Sequence, residues 1–311
     1  MSASVLFDAP GPKTRRRSLI ISLIVLAVLI AGVVWIAFTL AQPRESSGLK
    51  LPGYFAPSRW DIFADPQVWG FIGQGLLNTL RAAAVAAAMA LVVGVLFAML
   101  RTSVYAAVRI PTTVVLEFFR GMPVLLMMLF ILLVASTGAF WAVVIALGIY
   151  NGAIIGEALR SGLASLPRGQ REAGLSLGLT RLQTKMSVEF PQAFRQMLPV
   201  IVAQLVVLLK DTSLGYIVGY NELIRTTMNN LASFYGNRYL FSLFIVTLVI
   251  YLAVNLSLSW VARRLARQRR GRGGGAGPIV ITDGAETGGR VLILPAPADA
   301  PGGNPENRTT E

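Results

Sequence analysis

The chain of 311 residues contains neither cysteine nor histidine. Their absence excludes disulfide bonds, thiolate nucleophiles, Cys/His metal sites and Ser-His-Asp catalysis. Charged residues are scarce at 14% of the sequence, whereas a soluble domain carries about 25%. Hydrophobic residues, 54% of the total, come in blocks long enough to cross a bilayer. The composition therefore predicts an integral membrane protein.

The phosphate-binding signature GxxxxGK[ST] is also missing, so the chain cannot bind ATP through the usual phosphate cradle. The formal net charge is +13, which in a soluble protein would favour a nucleic-acid partner. Here the cationic residues lie beside the apolar blocks, as the positive-inside rule expects of a membrane protein. We therefore predict that the partner of these charges is the lipid bilayer and not nucleic acid.

Six apolar segments predict an all-α integral membrane protein with six transmembrane helices. A signal peptide is the alternative for the first segment, but its apolar run is longer than that of a signal peptide and lacks a clear A-x-A site. We therefore predict an uncleaved first span. The six predicted spans are 19–41, 72–100, 113–135, 139–159, 196–218 and 239–262.

Lysine and arginine are distributed unevenly among the segments that join these spans. The connecting segments alternate between the two sides of the membrane. Twenty lysines and arginines lie on one side, in the N-terminal tail, 100–110, 157–196 and the tail from 261. The segments on the other side, mainly 42–71 and 210–239, hold only six. Since Lys and Arg collect on the cytoplasmic side, both termini are predicted to be cytoplasmic in a multi-pass protein of the cell membrane.

The segment 165–191 is polar and basic, and it lies between two apolar segments. Pro167 suits the first turn of a helix, where its missing N–H would have no partner. Gly178 can adopt a positive φ and end that helix near Leu177. Thr180 and Gln183 fit a capping box that begins a second helix. The pattern predicts a cytosolic helical hairpin, and an ordinary surface hairpin is the alternative to a functional one.

We predict that Pro191 ends the second helix of this hairpin. The whole segment resembles the EAA loop of ABC-importer permeases, the element through which an ATPase subunit acts on the membrane domain. Gly174 stands where the family has alanine, and Phe190 where it has leucine. The residues that carry the resemblance are Glu172, Ala173, Gly174, Gly178, Val188, Phe190 and Pro191.

Several polar residues interrupt the predicted spans, where an ionisable group costs about 2.5–3.5 kcal/mol on insertion scales. Arg120 lies in FFRGMP, Asn151 in YNGAIIGEALRSG, and Lys210 with Asp211 in LKDTSL. All three segments are similar to segments of polar amino-acid permeases. Arg120, Asn151, Lys210 and Asp211 are therefore candidates for a substrate path. Lys210 and Asp211 could instead only neutralise each other, and Glu157 could pair with Arg160 to hold a helix end.

Together these motifs identify the chain as similar to the permease subunit of a polar amino-acid ABC importer, and most similar to a glutamate-uptake permease. The resemblance covers about 72–262 and implies a five-span type I permease core, with the first span as an addition. It gives five segments: a cytoplasmic basic tail (1–18), an extra transmembrane helix (19–41), an external loop (42–71), the permease domain (72–262) and a disordered cytoplasmic tail (263–311).

The resemblance also implies the partners. These are ATP-binding cassette ATPase subunits, a second permease subunit and an extracytoplasmic amino-acid-binding protein. The chain itself would be non-catalytic and hold no cofactor, since ATP and Mg would be bound by the ATPase. Two other classes stay open. A stand-alone secondary transporter or channel would need no EAA loop and would more often show internal repeats. A membrane-embedded structural factor would not need polar groups within its spans.

Overall fold

The computed structural model describes residues 11–46, 49–270, 280–281 and 292–293. It confirms the all-α architecture. The chain divides into two compact units, 1–258 and 259–311. The helices are α1 (Pro12–Ala41), α2 (Pro66–Arg101), α3 (Ala106–Gly121), α4 (Val124–Val134), α5 (Ala139–Ala164), α6 (Arg168–Ser176), α7 (Arg181–Thr184), α8 (Phe190–Asp211), α9 (Ala232–Tyr235) and α10 (Leu240–Arg270).

Five helical segments of the described chain are long and apolar enough to cross a membrane, or six if a bent pair counts as one span. Four of them coincide with predicted spans, although several extend further. The remaining segment runs without a break from Arg181 to Tyr216. The predicted span 196–218 is therefore the second half of a longer helical segment. The apolar part of α1 buries none of its residues against the rest of the chain, as expected of a helix surrounded by lipid.

The predicted third span is not a single helix. α3 and α4 meet at an angle of 102°. The break falls at Met122 and Pro123, directly after Gly121. Pro123 cannot continue the hydrogen-bond ladder of α3, and the residue before a proline is driven out of the α region. Gly121 and Pro123 predict a distorted helix at this position, and the structure shows that the distortion divides the span in two.

A second departure concerns 210–239, which was expected to be an external loop. The chain is helical from 223 to 235, through a π-helical stretch, Arg225–Leu231, and the short α9. This helix buries Leu223, Leu231 and Ala232 against apolar residues of α2 and α10. Because this segment contains many polar residues, its average hydropathy is low and does not indicate the apolar face.

The core of the first unit is the contact between α2 and α5. Four alanines spaced along one face of α2 are fully buried: Ala82, Ala86, Ala90 and Ala98. On α5, a Cβ added at Gly152 would lie 2.7 Å from Val93 Cγ1, and one at Gly94 of α2 would lie 2.7 Å from Ile155 Cγ2. Small residues let the two backbones approach closely, which is how membrane helices gain packing energy.

The segment before α2 is tied to the start of α10. Arg59 Nη1 donates to the carbonyl of Arg238 over 2.9 Å. The Tyr235 hydroxyl donates to Asp65 over 2.7 Å, and the Gln67 amide donates to the same carboxylate over 2.9 Å. The bond from Tyr235, followed by that from Gln67, lowers the pKa of Asp65. Asp65 therefore caps α2 and joins it to α9 as an anion.

The second unit contains the end of α10 and a pair of two-residue strands, β3 (Val280–Ile281) and β4 (Leu292–Ile293), which pair antiparallel. Since α10 continues to Arg270, the tail that was predicted to be disordered from 263 begins as helix. The rest of that predicted tail, apart from the two strands, lies outside the described residues. In the first unit, β1 (Arg44–Ser46) and β2 (Leu49–Leu51) form a similar small pair.

Candidate functional site

The whole segment 165–191 is called the polar hairpin below. Its first helix, α6, ends in a Schellman motif. Gly178 has φ +77°, as predicted. Its amide donates to the Leu175 carbonyl over 3.0 Å, and the Leu179 amide donates to the Gly174 carbonyl over 3.2 Å. These are the 5→2 and 6→1 bonds that close a helix around a left-handed residue. Pro167 lies at the N-cap of α6, one position before the expected first turn.

The predicted capping box is present at α7. Thr180 Oγ1 accepts from the Gln183 amide, and the Gln183 side chain accepts from the Thr180 amide over 2.9 Å. The expectation that Pro191 ends this helix is wrong. A π-helical turn, Lys185–Glu189, follows α7 and leads directly into α8, with Pro191 in the first turn of α8. The wider π turn changes the hydrogen-bond register at the position where proline has no N–H to donate.

Gly174 is the residue at which the two arms of the polar hairpin meet. It is buried, and a Cβ added there would lie 2.5 Å from Thr184 Cγ2 and 3.0 Å from Thr184 Oγ1. The buried Thr184 Oγ1 has no hydrogen-bond partner within the described part of the chain. Thr184 thus occupies the space that an alanine side chain would need, which explains why glycine stands at this position.

Polar contacts fix α6 to the beginning of α8. Arg171 Nε donates to Glu189 Oε1 over 2.8 Å, and Glu189 is almost fully buried. Gln192 Nε2 donates to Gln170 Oε1 over 2.8 Å. Glu172 and Ala173, by contrast, are exposed. The hairpin is therefore held by its inner face while its outer face stays accessible.

A further contact ties the polar hairpin to α2. Lys185 Nζ donates to the Thr102 carbonyl over 2.6 Å and to Thr102 Oγ1 over 3.2 Å. Thr102 is the C-cap of α2, where carbonyl groups have no partner within the helix. A cation is favourable at that end of a helix because it faces the negative pole of the macrodipole.

Next to this contact lies a group of five charged side chains from α2, α3 and α5, called the charge cluster below. Arg101 pairs with Glu157 of α5 and, over 3.2 Å, with Glu117 of α3. Glu157 also pairs with Arg160 over 2.7 Å, which confirms the predicted i, i+3 pair. Arg120 pairs with Glu117 over 3.2 Å. Arg120, a candidate for the substrate path, therefore belongs to this cluster.

The other three candidates for the path lie elsewhere. Asn151 is fully buried in α5; its Nδ2 donates to the Leu147 carbonyl over 2.8 Å, and its Oδ1 accepts from Gln204 Nε2 of α8 over 2.8 Å. Lys210 is exposed and Asp211 half-buried at the end of α8. Among the described residues these two form no ion pair within 4.0 Å. The structure therefore does not gather the four candidates into one site.

Sequence reasoning missed a buried carboxylate, Glu222, which is fully inaccessible. It accepts from the amides of Ile224 and Arg225, each over 2.8 Å, and from the Tyr251 hydroxyl over 3.1 Å. Burial raises its pKa, and the two amide bonds oppose that effect. An acidic residue that accepts from the amides two and three positions later is typical of a helix start. Glu222 has this spacing, but it lies in a segment that was expected to be a loop.

Comparison with known proteins agrees with this architecture. Residues 90–271 match the family described as "Binding-protein-dependent transport system inner membrane component". The chain is 39% identical to the glutamate transport system permease protein GluD of Corynebacterium glutamicum, over 70% of this chain and 82% of that one. It is 34% identical to the probable glutamine ABC transporter permease protein GlnP of Bacillus subtilis, over 63% and 92%.

Solved structures give the same result. A chain of an amino acid ABC transporter crystallised with histidines superposes with a TM-score of 0.58 at 28% identity, over 65% of this chain and 95% of that one. A chain of a methionine ABC transporter, at 18% identity and a TM-score of 0.55, shows likeness of fold alone. These matches confirm the predicted type of fold and the resemblance to polar amino-acid permeases. The chain belongs to the family of inner membrane components of binding-protein-dependent transport systems.

Proposed function

We propose that this chain is the permease subunit of an ATP-driven importer for glutamate or a related polar amino acid. In this proposal an extracytoplasmic binding protein delivers the substrate to two permease subunits, which form the path. Two ATPase subunits bind ATP and Mg and act on the polar hairpin. Both termini and the hairpin lie on the cytoplasmic side, as the distribution of Lys and Arg favours. The chain performs no covalent chemistry of its own.

One observation carries the coupling role: the polar hairpin presents large apolar side chains to its surroundings. Leu177, between α6 and α7, is 82% exposed, and Leu182 of α7 is 68% exposed. Leu175 and Met186 are also exposed. Apolar side chains set in a polar, basic segment that precedes the predicted span 196–218 are typical of a protein–protein contact. The occupant that fits the family is the ATPase subunit, with Glu172, Ala173 and the turn at Gly178 at the contact, while the buried Gly174 keeps the two arms of the hairpin together.

The proposed substrate is supported by two of the relatives named above, which are permeases for glutamate and glutamine by name. A glutamate that enters the membrane domain loses water from its carboxylates and needs positive partners or hydrogen-bond donors. Lys210 and Arg120 are the candidate cations, with Asn151 and Asp211 as further polar groups. Arg120 is already engaged by Glu117, so Lys210 is the stronger candidate.

The test is reconstitution of the chain with its ATPase, a second permease subunit and the binding protein in proteoliposomes. The proposal expects uptake of radiolabelled L-glutamate that requires both ATP and the binding protein. Unlabelled glutamine, arginine and histidine, added as competitors, would define the substrate range. Uptake by the chain alone, driven by an ion gradient without ATP, would instead establish a stand-alone secondary transporter. Purification without any ATPase partner from native membranes would count against the importer as well.

A further inference from the structure

Polar contacts, joined through the backbone of the π turn and of the end of α2, lead from the polar hairpin to α3. They begin on α6 with Arg171, which donates to Glu189 at the end of the π turn. The first residue of the same turn is Lys185, which donates to Thr102. The π turn therefore carries one contact to the helix that faces the proposed ATPase and another to the end of α2. π turns of this kind are frequent at functional sites.

The contacts continue from the end of α2. Arg101 precedes Thr102 and is paired with Glu157 of α5 and Glu117 of α3. α3 leads directly into the break of 102° that separates it from α4. A shift of the C-terminal turn of α2 would thus change the position of Arg101 relative to the carboxylates of two other spans. The long side chains of the charge cluster can adopt new rotamers when the helix end shifts, whereas the close-packed α2–α5 core resists rearrangement.

We propose that Lys185 is a positioning residue that transmits movement of the polar hairpin to the end of α2 and, through Arg101, to α3. This inference rests on the proposed function. The ammonium group holds the C-cap carbonyl of α2, so a displacement of the π turn pulls on that helix end. Without the ammonium, the hairpin would still bind its ATPase partner through its exposed outer face. The movement that follows ATP binding would then no longer reach the charge cluster.

The experiment compares variants in the complete transporter, reconstituted with its ATPase, second permease and binding protein. ATP hydrolysis and uptake of radiolabelled L-glutamate are measured on the same vesicles. Lys185→Met should leave ATP hydrolysis within about twofold of wild type. It should lower the glutamate taken up per ATP by about tenfold, as expected of a lost coupling interaction. Lys185→Arg keeps a cation of sufficient reach and should retain coupling.

Arg181→Met is the matched control, because Arg181 is exposed, lies on the same hairpin and also carries a charge. It should leave uptake per ATP unchanged. An unchanged ratio in Lys185→Met would overturn the proposal. A parallel loss of ATP hydrolysis and uptake would also overturn it, since Lys185 would then only maintain the shape of the hairpin. Failure of the wild-type complex to take up glutamate would instead contradict the proposed function.

Chemical rescue removes any effect of the substitution on folding. The chain has no cysteine, so Lys185→Cys provides its single thiol. One preparation of the assembled variant is divided and treated with either 2-aminoethyl or methyl methanethiosulfonate. The aminoethyl reagent restores an ammonium group and should raise uptake per ATP several-fold, as expected when a coupling contact is regained. The methyl reagent should not. Equal responses would contradict the proposal, and the treated wild-type complex controls for thiols of the partner subunits.

Discussion

The substitution Gly174→Ala tests the geometry of the hairpin. In Gly174→Ala the new Cβ would lie 2.5 Å from Thr184 Cγ2, a distance at which the Thr184 side chain must rotate or one of the two helices must move. Overpacking of this kind costs about 1–3 kcal/mol. The better helix propensity of alanine returns up to about 1 kcal/mol. Gly169→Ala, in the same helix with nothing within 4 Å of its added Cβ, shows the propensity effect without the clash.

Hydrogen exchange of the α6 amides in the purified transporter measures this cost as a local opening free energy. Since 1.4 kcal/mol is a factor of ten, exchange in Gly174→Ala should be about five- to a hundredfold faster than in Gly169→Ala. Adding Thr184→Ala removes both clashing atoms, so exchange in the double variant should be no faster than in Thr184→Ala alone. Additive effects of the two substitutions would show that residues 174 and 184 do not interact and would refute the reasoning.

Three further predictions concern the turn, the path and the tail. Gly178→Val places a β-branched side chain at φ +77°, which costs more than about 1–2 kcal/mol, so uptake should be lost while membrane levels persist; normal uptake would contradict this. Lys210→Met should stop uptake, and adding Asp211→Leu should not restore it, because the two residues form no ion pair; recovery in the double variant would assign Lys210 a structural role. A chain that ends after Gly271 should keep uptake within about twofold, because the segment removed has few large apolar residues to bury; loss of uptake at normal membrane levels would give the tail a function.

Most of the fold could be predicted because long apolar runs leave few alternatives in a bilayer. The spans in α1, α2, α5 and α10 coincide with the predicted ones, although each helix extends five to eight residues further at one end. For the break between α3 and α4, the sequence predicts the position but not the angle. Gly121 and Pro123 mark the position, but the angle of 102° depends on packing that no local pattern encodes.

The caps and turns of the polar hairpin could also be predicted from the sequence, because they depend on residues a few positions apart. Gly178 and the Thr180–Gln183 capping box are of this kind. The fit of Gly174 against Thr184 and the link from Lys185 to Thr102 could not be predicted, since they depend on how distant segments meet. The same is true of Arg101 and Glu157, which are 56 positions apart. The role of Glu222 is not evident from the sequence, because the polar residues around it predict a loop where the structure has a helix.

Docking of a separate ATPase on the polar hairpin can be tested with a single introduced cysteine. Glu172→Cys places the chain's one thiol on the exposed outer face of α6. Phe234→Cys is the control, since Phe234 is 81% exposed and lies beside Tyr235, whose hydroxyl donates to Asp65 at the N-cap of α2. The hairpin is bonded to the other end of α2, about 54 Å away for a helix of 36 residues.

Each variant is assembled with its partners and treated with a thiol-to-amine crosslinker of short reach. The account predicts a product between Glu172→Cys and the ATPase subunit, with a yield that changes when ATP is added. Phe234→Cys should give no such product. Crosslinking to the ATPase from position 234 and not from 172, or from neither while the complex remains intact, would contradict docking at the hairpin.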